Sequence, residues 1–329
     1  MVNKKTLDLY FAELRRVEKE REQKTVRKIN KICKELMKDL VAYLAEYYAE
    51  FGNYDGILTM ADLQRKSQYA RFLEEVVKIA DFKTPLVSET VLDTVQKTYS
   101  ASYNGMLVAV KKATNGEELA KAFKGVTVQP RVIKRAVENP ISGLTLPDTL
   151  ERNRQNIIYE IKRAVNTGLV NGDRYGTTIK RVQKVLVGDD KQGGYYAKSA
   201  NIVRTESHRV QEGGLSDCAK DISDNLDGSG YVYTATWRTM KDERVRPQKR
   251  VYTSKGWKTY TSKNGANHQR MEGKIIQVGD VFDLGGGITA ECPGNSGDAK
   301  NDCNCRCFLE YALMTVDEFL SKGGKLIDK

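Results

Sequence analysis

Apolar side chains recur at three- and four-residue steps from the start of the chain: Leu7, Phe11 and Leu14, then Val26, Ile29, Cys33, Leu36, Leu40, Tyr43, Leu44 and Tyr47. This period lays them along one stripe of a helix over residues 7–51. Residues 18–24 are wholly polar, so one long helix with a weakly buried middle and two helices in line both fit, with Gly52, Asn53 and Gly56 as the stop. A partner helix or a partner protein could bury the stripe. A second helical pattern covers 61–79, and Pro85 followed by Ser88 predicts the opening of a third helix capped by Ser88. Shorter helices are expected at 117–123 and 131–137. Pro140 and Gly143 then interrupt the pattern, which places the main boundary there and leaves a helical region over 1–145.

Helical periodicity resumes at 150–165, 175–186 and 199–219, with turns at Gly168, Gly172, Gly188 and Gly193. The period then changes. After Asp227-Gly228-Ser229-Gly230, the alternation of Tyr231, Tyr233, Ala235 and Trp237 predicts a strand. Short strands are expected around Val251, Trp257, 275–282, Ile288 and Phe308, and Thr315-Val316-Asp317-Glu318 has the spacing of a capping box for a last short helix. The fold class is therefore α+β: a helical N-terminal region, then a helix leading into a small β-sheet over 146–314, then a short helix and tail at 315–329.

A chain of 329 residues, 40% hydrophobic, can bury a core and favours two or three domains. Its formal charge of +11 suits contact with polyanions such as double-stranded DNA, bound without sequence preference; interspersed acids make plain solubility the competing reading. No segment reads as a signal peptide or a membrane span, so no membrane partner is expected. Of six cysteines, Cys33 and Cys218 are isolated while Cys292, Cys303, Cys305 and Cys307 crowd together, which is no disulfide framework and points to folding in a reducing cytoplasm.

Four pieces follow one another in the second half: 200–209 with Arg204-Thr205-Glu206 and His208; 235–247 with Trp237, Asp242 and Arg244; 267–274 with His268 and Gly273; and Asn304-Cys305-Arg306-Cys307. In this order they resemble the phage Mu F-like head morphogenesis family. Residues 248–267 depart from its pattern as an insertion that reads as a β-hairpin, with Tyr252 and Trp257 flanking Ser254-Lys255-Gly256. The resemblance implies a minor capsid protein of a tailed bacteriophage, made in the host cytoplasm and carried in the virion beside the portal. It also implies a role in head assembly or DNA delivery, with the portal protein, and scaffold or capsid protein, as partners. The unburied helical stripe makes residues 1–145 the expected docking surface for such a partner.

On a helix Arg204 and Glu206 face different ways, so each must find a partner elsewhere; the Asp242–Arg244 turn is the expected one, in a structural role. Trp237 is expected in the core. Alternation of Cys303, Cys305 and Cys307 puts all three on one face if the segment is a strand. With His268 and Cys292 they define a candidate zinc set of His268, Cys292, Cys303 and Cys305, although one-residue gaps are poor chelating spacing and reduced, packed thiols are the alternative. Two histidines leave little room for proton transfer, and Gly285-Gly286-Gly287 reads as a tight turn, not a phosphate loop. No catalytic residue and no required cofactor is expected. The competing function is a toxin-type enzyme, a nuclease or ADP-ribosyltransferase-like protein, built on the same module.

Overall fold

A computed structural model describes residues 3–114, 121–189, 193–226, 228–242, 245–254, 256–261 and 266–327. The first helix, α1 (Lys4–Phe51), is continuous. Its polar stretch holds because Glu18 is buried against Arg21, and Thr25 shares a 2.7 Å hydrogen bond with Thr94. Leu7, Phe11, Ile29, Leu36, Leu40 and Leu44 are all buried. The stripe is thus covered by the chain itself, and no external partner is needed to bury it.

The pattern expected at 61–79 is divided. Helix α2 (Met60–Arg65) opens on a reciprocal capping box between Thr59 and Asp62 and closes before Ser67, whose φ of 56° is left-handed. Helix α3 (Tyr69–Ala113) then runs straight through Pro85, which lies inside it. Proline was expected to start a helix there. Its penalty is about 3 kcal/mol, whereas the stripe continues past it through Val87, Val91, Val95 and Tyr99, each worth roughly 1.5–3 kcal/mol on burial. Of the helix expected at 117–123, residues 115–120 lie outside the described residues and 121–123 form a 3-10 turn. Helices α4 (Pro130–Glu138), α5 (Leu146–Asn171), α6 (Tyr175–Val187) and α7 (Tyr195–Asp224) follow.

Strand β1 (Tyr231–Arg238) is the centre of a three-stranded antiparallel sheet. It lies between β4 (Ile275–Gln277) and β7 (Phe308–Thr315), with Trp237 opposite Leu309 and Ala235 opposite both Ile276 and Tyr311. The insertion forms a hairpin of β2 (Gln248–Thr253) and β3 (Gly256–Thr261); Lys255 at its turn lies outside the described residues. A second small hairpin joins β5 (Phe282–Gly285) to β6 (Ile288–Ala290) through the glycine turn, so the apolar run 275–282 contributes to two separate strands. The chain ends in α8 (Ala299–Asp302), β7 and α9 (Val316–Ser321). Thr315 caps α9 by accepting from the Glu318 N–H, while the Glu318 carboxylate pairs with Lys322 at 2.6 Å.

Two compact units interleave along the sequence: residues 1–21, 95–145 and 204–329 form the first, and 22–94 with 146–203 form the second. The long helices α1, α3 and α7 each give segments to both. Within the first unit α7 lies tightly on α3: a Cβ on Gly214 would stand 2.7 Å from the Tyr99 carbonyl oxygen. Tyr99 and Tyr103 donate their hydroxyls to Asp217 and Asp221 across the same contact. This packing fixes the part of α7 that carries the sequence motif.

Candidate metal centre

The four motif pieces meet in the first unit. From α7, Glu206 and Arg209 form a buried ion pair of 2.6 Å one turn apart. Burial raises the Glu206 carboxyl above its usual range, and Arg209 opposes that shift. Glu206 therefore takes its partner from its own helix, where i and i+3 are neighbours, and not from the Asp242 turn as expected. Asp242 instead accepts two hydrogen bonds, of 2.6 and 2.7 Å, from Arg306. Arg204 is exposed, and Arg244 lies outside the described residues. Thr205 accepts the Asn304 N–H at 3.2 Å, and the buried Glu212 accepts the Leu309 N–H at 3.1 Å, so α7 is tied to both ends of the Asn-Cys-Arg-Cys segment.

That segment is not a strand. Cys303 closes α8, Asn304 adopts a left-handed φ of 54°, and β7 begins only at Phe308. The three cysteines consequently do not share a face. Cys305 and Cys307 are buried with their sulfurs toward His268, whose Nδ1 stands 3.7 Å from Cys305 Sγ and 3.5 Å from Cys307 Sγ. Cys303 is half-buried, and its carbonyl accepts from Arg246. Cys292 is fully buried, with its thiol pushed well up by burial and by Glu212 and Asp217. Among the described residues the cluster able to hold a metal is His268, Cys305 and Cys307, with their ligand atoms within 4.8 Å of one another. Cys307 thus replaces Cys292 and Cys303 of the sequence-based set.

His268 sits on a loop shaped by Trp237 and Gly273. The Trp237 backbone N–H donates to the Lys274 carbonyl at 2.8 Å, the Gly273 N–H returns to the Trp237 carbonyl at 2.9 Å, and the left-handed φ of 79° at Gly273 makes the turn. The Trp237 ring is fully buried, edge-on to His268 at 5.8 Å and to Phe282 at 5.1 Å. The imidazole tautomer follows from its second contact. Asn301 turns its amide nitrogen to Asp298, 3.3 Å away, because a carboxylate only accepts. Its Oδ1 therefore faces His268 Nε2 at 3.1 Å, which must carry the proton, and Nδ1 presents its lone pair to the two sulfurs.

The second histidine also belongs here. His208 lies against Cys305; burial opposes its charged form, but Cys305 and then Glu212 raise its pKa on balance. A hydrogen bond from Cys307 holds the Cys305 thiol well below its ordinary value against the effect of burial, with His208 adding to that. Cys307 is correspondingly pushed up, as the member of the pair that keeps its proton. Sequence reasoning kept His208 as a member of the 200–209 piece but outside the candidate zinc set. The signal it left unused was that the chain has two histidines and both belong to the motif pieces.

In the second unit a cleft between α5, α6 and the start of α7 is lined by Arg163, Arg181 and Lys184. Each is paired with an acid: Glu160 at 3.2 Å, Asp173 at 2.6 Å and Asp189 at 2.7 Å respectively. Among the described residues no helix is long and apolar enough to cross a membrane.

No protein-family model matches the chain, and no solved structure matches it. Among curated proteins, the minor head protein GP7 of Bacillus phage SPP1 is 27% identical over 289 residues, 87% of this chain and 82% of that protein. The chain is similar to a phage minor head protein. This similarity supports a role in phage head morphogenesis. The NAD(+)–arginine ADP-ribosyltransferase EFV of Enterococcus faecalis is 21% identical over 323 residues; this covers 97% of the chain but 58% of that protein.

Proposed function

We propose that the chain is a non-enzymatic minor head component of the Mu F-like kind, resident in the virion beside the portal and in contact with the packaged DNA. The observation that carries this reading is the similarity to a minor head protein over 87% of the chain and 82% of the relative. The use of the motif residues supports it. Glu206 is bound to Arg209, Asp242 to Arg306 and Glu212 to a backbone N–H. Glu212 ties α7 to the start of β7, Asp242 holds the Asn-Cys-Arg-Cys loop through Arg306, and the Glu206 pair lies within α7, so all three groups are committed to structure. The +11 charge serves the DNA contact in this reading, through counterion release without base recognition. Mass spectrometry of purified heads of the encoding phage tests residence: the chain is expected in a few copies per particle, and its absence from heads would overturn the proposal.

The similarity to an ADP-ribosyltransferase over 97% of this chain favours a second reading, in which the chain itself is an ADP-ribosyltransferase-like enzyme built on the same module. Incubation of the purified chain with NAD+ and an arginine acceptor separates them. The structural reading expects no release of nicotinamide, whereas release abolished by Glu206→Gln in a folded variant would favour the enzyme.

A further inference from the structure

We propose that the first unit binds one zinc ion through His268 Nδ1, the sulfurs of Cys305 and Cys307, and the imidazole of His208. The three groups already convergent have a tetrahedral edge built into them. Zinc bonds of about 2.3 Å to sulfur and about 2.0–2.1 Å to nitrogen place neighbouring N and S atoms roughly 3.6 Å apart; here the two N···S separations are 3.5 and 3.7 Å.

The outer contacts are those of a ligand histidine. Asn301, fixed by Asp298, takes the Nε2 proton of His268 and leaves Nδ1 free to donate its lone pair. A carboxamide or carboxylate behind the imidazole serves a buried neutral histidine too, so the deciding feature is what faces Nδ1: two sulfurs from a Cys-x-Cys step. In a regular strand that step would hold the sulfurs too far apart to chelate. The left-handed Asn304 breaks the extended path, Arg306 is held by Asp242, and the sulfurs and Nδ1 lie within 4.8 Å of one another.

The fourth position falls to His208. Its Nε2 is buried without a hydrogen-bond partner, and its ring lies against Cys305. A buried ring nitrogen with no partner is unfavourable unless something binds it. Two imidazoles and two thiolates are a borderline-soft set with no carboxylate, suited to zinc and not to magnesium or calcium. Two thiolates also neutralise the ion, so the buried centre carries no net charge. Four protein ligands leave no open position, which makes the site a structural one. It would tie α7, the His268 loop and the entry to β7 at a single point.

The test is metal analysis of the full chain purified without chelators, followed by replacement of zinc with cobalt. The expected result is one zinc per chain and, with cobalt, the visible bands of tetrahedral thiolate-bound metal; stability then rises with the logarithm of free zinc. His208→Ala, His268→Ala, Cys305→Ser and Cys307→Ser are each expected to lose the metal, while Cys292→Ser and Cys303→Ser retain it. Because the ligand variants can fail to fold, the cobalt spectrum of the unmutated protein is decisive alone. A metal-free chain whose stability ignores added zinc, or cobalt bound octahedrally, would overturn the proposal, as would retention of zinc by His208→Ala together with its loss from Cys303→Ser.

Discussion

Two adjacent glycines on α7 test the packing that positions the motif. A Cβ at Gly213 meets nothing within 4 Å, whereas one at Gly214 stands 2.7 Å from the Tyr99 carbonyl oxygen and 3.3 Å from both the Ser102 Cβ and the Tyr103 nitrogen. Alanine in a helix interior is worth about 0.8–1.0 kcal/mol over glycine. Gly213→Ala should therefore stabilise by nearly that amount. Gly214→Ala gains the same propensity but drives a methyl into backbone, which cannot rotate away; overpacking of this kind costs about 1–3 kcal/mol, so a net loss of up to about 2 kcal/mol is expected. At roughly 2–4 °C per kcal/mol for a unit of this size, the two variants should separate by several degrees in Tm and shift oppositely in urea midpoint. Equal stabilisation by both would refute the close approach of α7 to α3.

Arg209→Ala leaves Glu206 buried without its cation and should destabilise by about 3–5 kcal/mol, while Glu206→Gln with Arg209→Met should recover most of that loss in the same denaturation assay. Pro85→Ala restores a backbone donor inside α3 and should stabilise by up to about 3 kcal/mol; a loss of stability would mean the helix does not run through this position. Burial, opposed by Tyr99 and Arg135, raises the Asp217 carboxyl above 3.8. Its contribution is then complete below that pH and declines as pH rises through the folded value. Asp217→Asn, which keeps an acceptor for Tyr99, should match the parent in acid and exceed it toward neutral pH in melts across that range.

What could be read from the sequence follows from how local each cause is. The alternation at Tyr231, Tyr233, Ala235 and Trp237 predicts β1 because one face of a strand is enough to show it, and the stripe of α1 is legible for the same reason. Pro85 misleads because its penalty is local while the burial that overrides it comes from the whole of α3. The centre was half legible. The motif residues in order indicate one assembled feature, but the left-handed Asn304 leaves no mark in the alternation of cysteines, so the ligand set drawn from an imagined strand includes Cys303 and Cys292 and omits Cys307 as a ligand. The partners of Glu206 and Asp242 were likewise beyond reach, since Arg209 and Arg306 are two among many basic residues until the fold selects them.

The most direct test of the head-component account is a pull-down of the purified chain against the portal protein of its own phage, with and without nuclease. The account predicts association that survives nuclease treatment. Loss of association on nuclease treatment would contradict docking to the portal and leave DNA as the link, and absence of any association would contradict the account as a whole.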